Sequence, residues 1–222
     1  YLKTTVPSTH TPNFSIAQGV WFMPLNDLPK LKKTPDAYVI VGGGKTAIDA
    51  CTWLLEQGAD PDKITWIMPR DAWLLDRRNT QPMPEFFHDT MESQAAQMES
   101  IVAATSIEDM FDRLEACGYF LRIDENVRPK MFHGATISKM ELEQLRRIKN
   151  IVRRGHVQAI EEGKIVFADG SIPTTANTVH VDCSARAISN ADIQPVFQGD
   201  LIVSQMIRSY QPVFSAAFIA HI

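Results

Sequence analysis

The hydrophobic pattern is most regular between residues 37 and 68. Residues 37–41 (AYVIV) form a short apolar run rich in β-branched side chains, which is typical of a strand buried on both faces. Three glycines follow, and residues 46–57 then carry apolar side chains at helical spacing, with Gly58 placed to end a helix. A second apolar run at 64–68 (ITWIM) predicts another buried strand. Strand, glycine turn, helix and strand in this order predict a βαβ unit.

The flanking sequence predicts further helices and strands around this unit. Three stretches have helical signals, at 84–104, 106–117 and 138–148. Between the last two helices, residues 119–137 have no regular pattern and predict an irregular segment. Short β-like runs follow at 150–153, 157–160, 164–167 and 178–181, of which the second and third predict a hairpin that continues into a meander. Residues 1–35 are rich in proline and turn-forming residues and predict a connecting segment.

Composition and charge exclude several function classes. Lysine and arginine number 22 and aspartate and glutamate 26, so the formal net charge is −4. We therefore expect no nucleic acid or anionic membrane as a partner, because both require a basic surface. The three cysteines form no CxxC pair and have no zinc-ligand spacing, so we expect no metal site and a reducing, cytoplasmic location. The chain opens on Tyr1, and we expect it to be a piece of a longer polypeptide.

One glycine-rich motif carries identifiable chemistry. Residues 42–47 (GGGKTA) fit the pattern G-x-G-x-x-A of dinucleotide-binding proteins, between a predicted strand and a predicted helix. In this pattern Gly42 permits the tight turn, Gly44 lets the backbone approach a pyrophosphate, and Ala47 lets the helix pack closely on the strand. The backbone N–H groups at the start of the helix favour an anion. We therefore predict a cofactor-binding loop made of Gly42, Gly43, Gly44, Lys45, Thr46 and Ala47 in a Rossmann-like α/β domain with a parallel sheet. The alternative is an ordinary turn from strand to helix.

The end of the second strand indicates which nicotinamide cofactor binds. An NAD site usually has an acidic residue there, which accepts a hydrogen bond from the ribose 2′-hydroxyl. This chain has Arg70 instead, which favours a 2′-phosphate and therefore NADPH. Asp71 is the next residue, and the alternative is that Asp71 accepts from the ribose while Arg70 is only a surface residue.

Other charged residues have two interpretations each. The Lys45 side chain could add positive charge near a pyrophosphate or could simply be solvated at the start of the helix. Arg77 and Arg78 could reach a phosphate if their loop folds back, or this charged pair could simply be solvated. Because the net charge is acidic, we interpret the remaining basic cluster as an exposed face rather than a nucleic-acid site; it comprises Arg146, Arg147, Lys149, Arg153 and Arg154.

The whole pattern resembles flavoproteins with two dinucleotide-binding domains, of the flavin-containing monooxygenase-like and pyridine-nucleotide-disulfide-reductase-like kinds. Residues 38–50 (YVIVGGGKTAIDA) are similar to the nicotinamide-side fingerprint of flavin monooxygenases. Residues 178–185 (TVHVDCSA) resemble the strand and turn by which such chains return to the flavin domain. Residues 205–222 (QMIRSYQPVFSAAFIAHI) resemble a C-terminal segment whose helix approaches the flavin.

This resemblance implies a domain organisation and a second cofactor, FAD. Residues 1–35 would be a connecting segment from a flavin domain, 36–177 an NAD(P)-binding domain with a helical insertion at 84–148, and 178–222 the return to the flavin domain. Pro212 suits a first helical position, and the N–H groups of Val213 and Phe214 would then face the flavin ring. Core packing of this helix is the alternative.

The function that the resemblance implies is NADPH-dependent oxidoreduction. Hydride would pass from NADPH to FAD, and electrons would pass on to oxygen or an organic acceptor, with a small molecule as substrate and a homodimer as one compatible assembly. The chain departs from the family because it has no FAD fingerprint, no CxxC and no F-x-G-x-x-x-H pattern in residues 1–35. Two alternatives therefore stay open, a reductase that does not activate oxygen and a non-catalytic sensor of NADP(H). No catalytic residue is predicted.

Overall fold

A computed structural model describes residues 6–185, 194–205, 207 and 212–222. The chain divides into two compact units, which are described separately. The first comprises Pro12–Ser184, and the second comprises Tyr1–Thr11 together with Ala185–Ile222.

The described residues form short strands, five α-helices and four 3-10 turns. The strands are β1 (Ser15–Ile16), β2 (Phe22–Pro24), β3 (Ala37–Val41), β4 (Ile64–Ile67), β5 (Ala72–Asp76), β6 (Phe120–Leu121), β7 (Met131–Ile137), β8 (Ile151–Val152), β9 (Ala159–Ile160), β10 (Lys164–Phe167), β11 (Gly170–Pro173), β12 (Thr178–Asp182), β13 (Phe197–Gln198) and β14 (Leu201–Ile202). The α-helices are α1 (Lys45–Glu56), α2 (Phe87–Ala103), α3 (Ile107–Ala116), α4 (Lys139–Leu145) and α5 (Pro212–His221). The 3-10 turns are Leu25–Lys30, Pro61–Lys63, Arg77–Thr80 and Pro84–Phe86.

A five-stranded parallel sheet forms the centre of the larger unit. Its strand order is β2–β12–β3–β4–β8, and every neighbouring pair is parallel. All five positions of β12 are buried, as are Ile40 on β3 and Trp66 on β4. Strands β3 and β4 are neighbours joined by α1, whose buried residues pack into the same core. The prediction of a mixed α/β fold with a parallel sheet and a βαβ unit is confirmed.

The predicted meander is also present in the larger unit. Strands β9, β10 and β11 are consecutive antiparallel neighbours, and β1 adds to β9 in parallel. The predicted β-like run at 150–153 does not belong to this sheet. It contains β8, which pairs with β4 at the edge of the parallel sheet.

The insertion at 84–148 contains the three predicted helices and two strands that the sequence did not reveal. Helices α2, α3 and α4 lie within the predicted ranges. The segment 119–137, predicted to be irregular, instead contains β6 and β7, which flank β5 in a three-stranded sheet. Gly134 has a positive φ of 71° inside β7, and a register shift interrupts its pairing with β5. These irregularities remove the simple alternation by which a strand is recognised in sequence.

The compact unit is wider than the predicted range of 36–177. Strand β2, from the predicted connecting segment, and strand β12, from the predicted return segment, both belong to the central sheet. Strand β12 pairs with β3 along its whole length and with β2 on its other side. Parallel pairing therefore places β2 and β12 in the same unit as the glycine motif, whereas Tyr1–Thr11 and Ala185–Ile222 belong to the smaller unit.

The smaller unit contains the antiparallel pair β13–β14 and helix α5. Helix α5 begins at Pro212, the first helical position predicted for that residue. Among the described residues, no helix is both long enough and apolar enough to cross a membrane.

Candidate functional site

The glycine motif lies at the carboxyl edge of the parallel sheet. Gly42 follows the end of β3, and the ends of β4 and β12 lie on either side because these strands are parallel neighbours. From β3 the chain continues to β4 and β8 on one side and returns through β12 on the other. In open parallel α/β sheets, ligands bind beyond the carboxyl ends of the strands where the order reverses in this way.

Gly42 is held by its neighbours on both sides. Its φ is +144°, a conformation that L-residues with side chains rarely adopt. Its N–H donates to the carbonyl of Ile67 at 3.0 Å, and its carbonyl accepts from the buried Trp66 indole Nε1 at 2.8 Å. A Cβ at Gly42 would lie 2.4 Å from the carbonyl oxygen of Cys183. The first glycine is therefore required by the fold itself.

The next two glycines have different surroundings. A Cβ at Gly43 would lie 3.1 Å from Met68 Cγ and 3.2 Å from the Arg70 carbonyl oxygen, so the chain after β4 packs directly on the loop. A Cβ at Gly44 would meet no atom within 4 Å, and Gly44 is exposed. Packing within the protein therefore explains Gly43 but does not explain Gly44. Open space at this position is what close approach of a ligand to the backbone requires.

The loop and the start of α1 present unused donors. Gly44 is the N-cap of α1 and provides no side chain to cap the helix. Within the described part of the chain, the backbone N–H groups of Gly43, Gly44, Lys45 and Thr46 donate to no protein atom. Ala47 is fully buried, as expected for the small residue that packs the helix on the sheet. Free donors at the positive end of a helix dipole suit an anion such as a pyrophosphate.

The Lys45 side chain is ion-paired within the protein. Its Nζ lies 2.5 Å from Asp49 Oδ1 and 3.5 Å from Glu141 Oε1. Glu141 also accepts from Arg77 at 3.3 Å and from the backbone N–H of Ser138 at 2.6 Å, where it completes the capping box of α4. Partial burial acts to raise the pKa of Glu141, but the hydrogen bonds from Ser138 and the charges of Lys45 and Arg77 outweigh it and lower that pKa. The glycine loop is thereby linked to the insertion.

Arg70 and Asp71 differ sharply in their surroundings. Arg70 is exposed, and its guanidinium makes no hydrogen bond or ion pair with any residue that the structure describes. The Asp71 side chain is only 7% exposed and accepts from Arg153 Nε at 2.7 Å and from Arg153 Nη2 at 3.1 Å. The arginine next to the glycine loop is therefore free for a ligand, while the neighbouring carboxylate is already paired.

The other arginines singled out from the sequence have partners in the protein. Arg77 contacts Glu141, and Arg78 donates to both carboxylate oxygens of Asp89. Arg153 departs from the exposed face predicted for the basic cluster, because its side chain is 27% exposed and bound to Asp71 and Asp124. The sequence carries no signal for this pair, since its members are 82 positions apart.

The predicted flavin contacts lie in the smaller unit. Val213 is 81% exposed near the start of α5, and Phe214 is 46% exposed. Residues 206 and 208–211, within the segment that resembles a flavin-domain terminus, lie outside the described residues.

Burial disfavours ionisation of the thiols of Cys51 and Cys183. Burial raises the pKa of Cys51 well above its ordinary value, with Cys183 as a second cause, and burial and Asp182 raise the pKa of Cys183. Both thiols are therefore protonated near neutral pH. In the described ranges, no three histidine, cysteine, aspartate or glutamate side chains are grouped so that they could hold a metal ion.

Sequence comparison connects the chain to mycobacterial proteins. Over all 222 residues it is 52% identical to proteins of Mycobacterium tuberculosis and Mycobacterium bovis that are named as uncharacterized proteins. The chain spans 41% of the length of each of these relatives. No protein-family model matches the chain. The names of the relatives indicate no activity, so the geometry of the site carries the functional conclusion.

Proposed function

We propose that the glycine loop binds NADP(H) and that the whole protein is an NADPH-dependent flavoprotein oxidoreductase. The observation that carries the proposal is the pairing of an open, donor-rich glycine loop with the unpaired guanidinium of Arg70. Bound NADPH would supply a hydride, and FAD would accept it and pass electrons to oxygen or an organic acceptor.

The loop fits the pyrophosphate of a dinucleotide. Gly44 leaves the space that the phosphates need, and the four free N–H groups between Gly43 and Thr46 provide donors. Lys45 contributes through its backbone, because Asp49 and Glu141 already neutralise its ammonium group. The strand order around the loop is compatible with a Rossmann-like domain, in which the dinucleotide lies across the reversal between β3 and β12.

The end of β4 supports a preference for NADP(H) over NAD(H). The Arg70 carbonyl lies against the glycine loop, and its exposed guanidinium has no competing partner among the described residues. A free guanidinium can form charge-assisted hydrogen bonds with a 2′-phosphate. The alternative ribose acceptor, Asp71, is bound to Arg153 through both carboxylate oxygens. Because Asp71 is already bound to Arg153, the structure favours Arg70 as the residue that contacts the 2′-phosphate over Asp71 as the ribose acceptor.

The flavin part of the proposal rests on the resemblance to two-domain flavoproteins. A start of α5 at Pro212 agrees with that resemblance. The chain spans 41% of its relatives, so FAD, the electron acceptor and the substrate are proposed for the whole protein. We assign this chain the tasks of binding and orienting NADP(H), and we assign no general acid or base.

The test is a visible absorption spectrum of the natural full-length protein before and after anaerobic addition of NADPH or NADH. We expect a flavin absorption band that NADPH bleaches faster than NADH. A protein that shows no flavin band even after reconstitution with FAD would contradict the oxidoreductase proposal. Oxygen consumption after NADPH reduction then separates a monooxygenase-like enzyme from a reductase that uses another acceptor.

A further inference from the structure

Asp71 and Arg153 form a nearly buried ion pair beside the proposed ribose site. The two hydrogen bonds, of 2.7 and 3.1 Å, use both oxygens of Asp71 and two nitrogens of Arg153. The side chains are 7% and 27% exposed, respectively. Such bidentate pairs fix the orientation of both groups more strictly than a single contact does. The carboxylate therefore has a defined position.

The backbone brings these two residues together at the edge that carries the glycine loop. Asp71 lies just beyond β4, and Arg153 directly follows β8, the neighbouring parallel strand in which Val152 is paired with Ile67. The Asp71 carbonyl also accepts from the Lys130 N–H at 3.2 Å, which anchors the backbone at this point to the insertion. The pair is thus built into the framework at the carboxyl edge of the sheet.

The position of Asp71 gives the pair a functional consequence. An acidic residue at the end of the second strand is what an NAD site uses to accept from the ribose 2′-hydroxyl. The same charge next to a 2′-phosphate would repel it or would pair with the adjacent Arg70. A protein that carries both Arg70 and Asp71 therefore needs a way to remove the carboxylate from competition.

We propose that Arg153 is a positioning residue that sets the preference for NADP(H) by sequestering the Asp71 carboxylate and leaving Arg70 free. This inference rests on the proposed dinucleotide function and adds a specificity determinant to it. Arg153 acts through Asp71 and makes no contact with the nucleotide. Asp124 also contacts Arg153 Nη2, at 3.2 Å, so this nitrogen is shared between two carboxylates.

The experiment measures dissociation constants of NADP⁺ and NAD⁺ for the full-length protein and its variants by calorimetry. In Arg153→Gln the preference for NADP⁺ over NAD⁺ should fall by about tenfold to about a hundredfold, the range for a hydrogen bond to a charged group. In the double variant Arg153→Gln with Asp71→Asn, the preference should return to within about threefold of wild type. This remaining difference is smaller than the roughly tenfold change that one such bond contributes. Arg154→Gln, the matched control, should keep the wild-type ratio, because that guanidinium is bound to Asp169 and not to Asp71.

The ratio distinguishes specificity from a general structural effect. Equal weakening of both nucleotides in Arg153→Gln would overturn the inference, because loss of fold does not discriminate between them. Failure of the double variant to recover the preference would also overturn it, since Arg153 would then act on the nucleotide directly.

The test also covers a variant that does not fold and a wild-type protein that does not prefer NADP⁺. If Arg153→Gln does not fold, Asp71→Asn alone serves: a ratio equal to wild type supports a sequestered carboxylate, and selective loss of NAD⁺ binding contradicts it. A wild-type protein that binds neither nucleotide, or that prefers NAD⁺, would refute the proposed function and this inference with it. The NADP⁺ to NAD⁺ ratios of the Arg153 variants, by contrast, test only this inference and leave the proposed function unaffected.

Discussion

The indole Nε1 of Trp66 donates a 2.8 Å hydrogen bond to the carbonyl of Gly42, so a fully buried side chain of β4 holds the first glycine of the loop. The Gly42 N–H bonds to Ile67 on the same strand. The strand that precedes Arg70 therefore also positions the glycine loop, and the two parts of the proposed cofactor site share one support.

Replacing Trp66 with phenylalanine should weaken this support. The change leaves a buried carbonyl without its donor, so we expect the free energy of unfolding to fall by about 1–3 kcal/mol. Thermal unfolding of the full-length protein measures the change. Trp53→Phe is the matched control, because the Trp53 indole makes no hydrogen bond within the described residues and packs beside the same core. Equal destabilisation by the two variants would contradict the role of the hydrogen bond.

The glycines at 42 and 44 should respond differently to alanine. Gly42→Ala should destabilise the protein strongly, because its Cβ would lie 2.4 Å from the Cys183 oxygen at a φ of +144°. Gly44→Ala should cost less than about 1 kcal/mol of stability, since its Cβ meets no protein atom and only the N-cap changes.

Gly44→Ala should have little effect on stability but a large effect on nucleotide binding. A methyl group there would occupy the space that we assign to the pyrophosphate, so NADP⁺ affinity should fall by about tenfold or more, equivalent to at least about 1.4 kcal/mol. Calorimetric titration alongside thermal unfolding measures both effects. A Gly44→Ala variant that binds NADP⁺ as tightly as wild type would show that the open space serves another purpose.

Burial of His180 should make the stability of the fold depend on pH. Its imidazole is 1% exposed on β12, with Nε2 2.8 Å from the Thr174 hydroxyl and Nδ1 3.2 Å from the Trp21 carbonyl. Burial lowers the pKa of His180, although the bond to Trp21 opposes this effect. Below the unfolded pKa of about 6.5, the unfolded chain takes up a proton that the folded state resists.

Stability should therefore fall as the pH drops below about 6.5, by up to about 1.4 kcal/mol per pH unit from this residue. Unfolding of wild type and His180→Asn should be compared at pH 7.5 and 5.5, with the exposed His156→Asn as control. The His180 variant should lose part of the pH dependence, and the control should keep it. An identical dependence in all three proteins would contradict a neutral buried His180.

The sequence predicted the parts of the fold that depend on local pattern. Strand β3, helix α1 and strand β4 were recognisable because an apolar run, three glycines and a helical repeat are contiguous. Strands β5 and β7 were missed because β5 precedes the insertion and pairs with a strand inside it, and because Gly134 breaks the alternation in β7. The place of β2 beside β12 likewise depends on pairing between distant segments.

In the candidate site, too, the sequence predicted the local features but not the contacts between distant segments. The glycine loop and Arg70 could be predicted as candidate site residues from spacing alone, because the motif prescribes where each residue stands. The sequence left two interpretations of Asp71 open. Its partner, Arg153, lies 82 positions away, and only the adjacency of β4 and β8 brings the two together. The ion pairs of Lys45 with Asp49 and Glu141 show a similar division, since the first is local and the second requires the packing of α4.

The most direct test of the central claim is the affinity of the full-length protein for NADP⁺ and NAD⁺ before and after Arg70→Gln. Loss of a charge-assisted bond to the 2′-phosphate should weaken NADP⁺ binding by about 1.5–3 kcal/mol, which is about tenfold to a hundredfold. NAD⁺ lacks this phosphate, so its affinity should change by less than about threefold, which is much less than the effect of losing one such bond. Arg78→Gln is the control, because Asp89 already holds that guanidinium. Equal weakening of both nucleotides by Arg70→Gln, or no weakening of either, would contradict a 2′-phosphate site at Arg70.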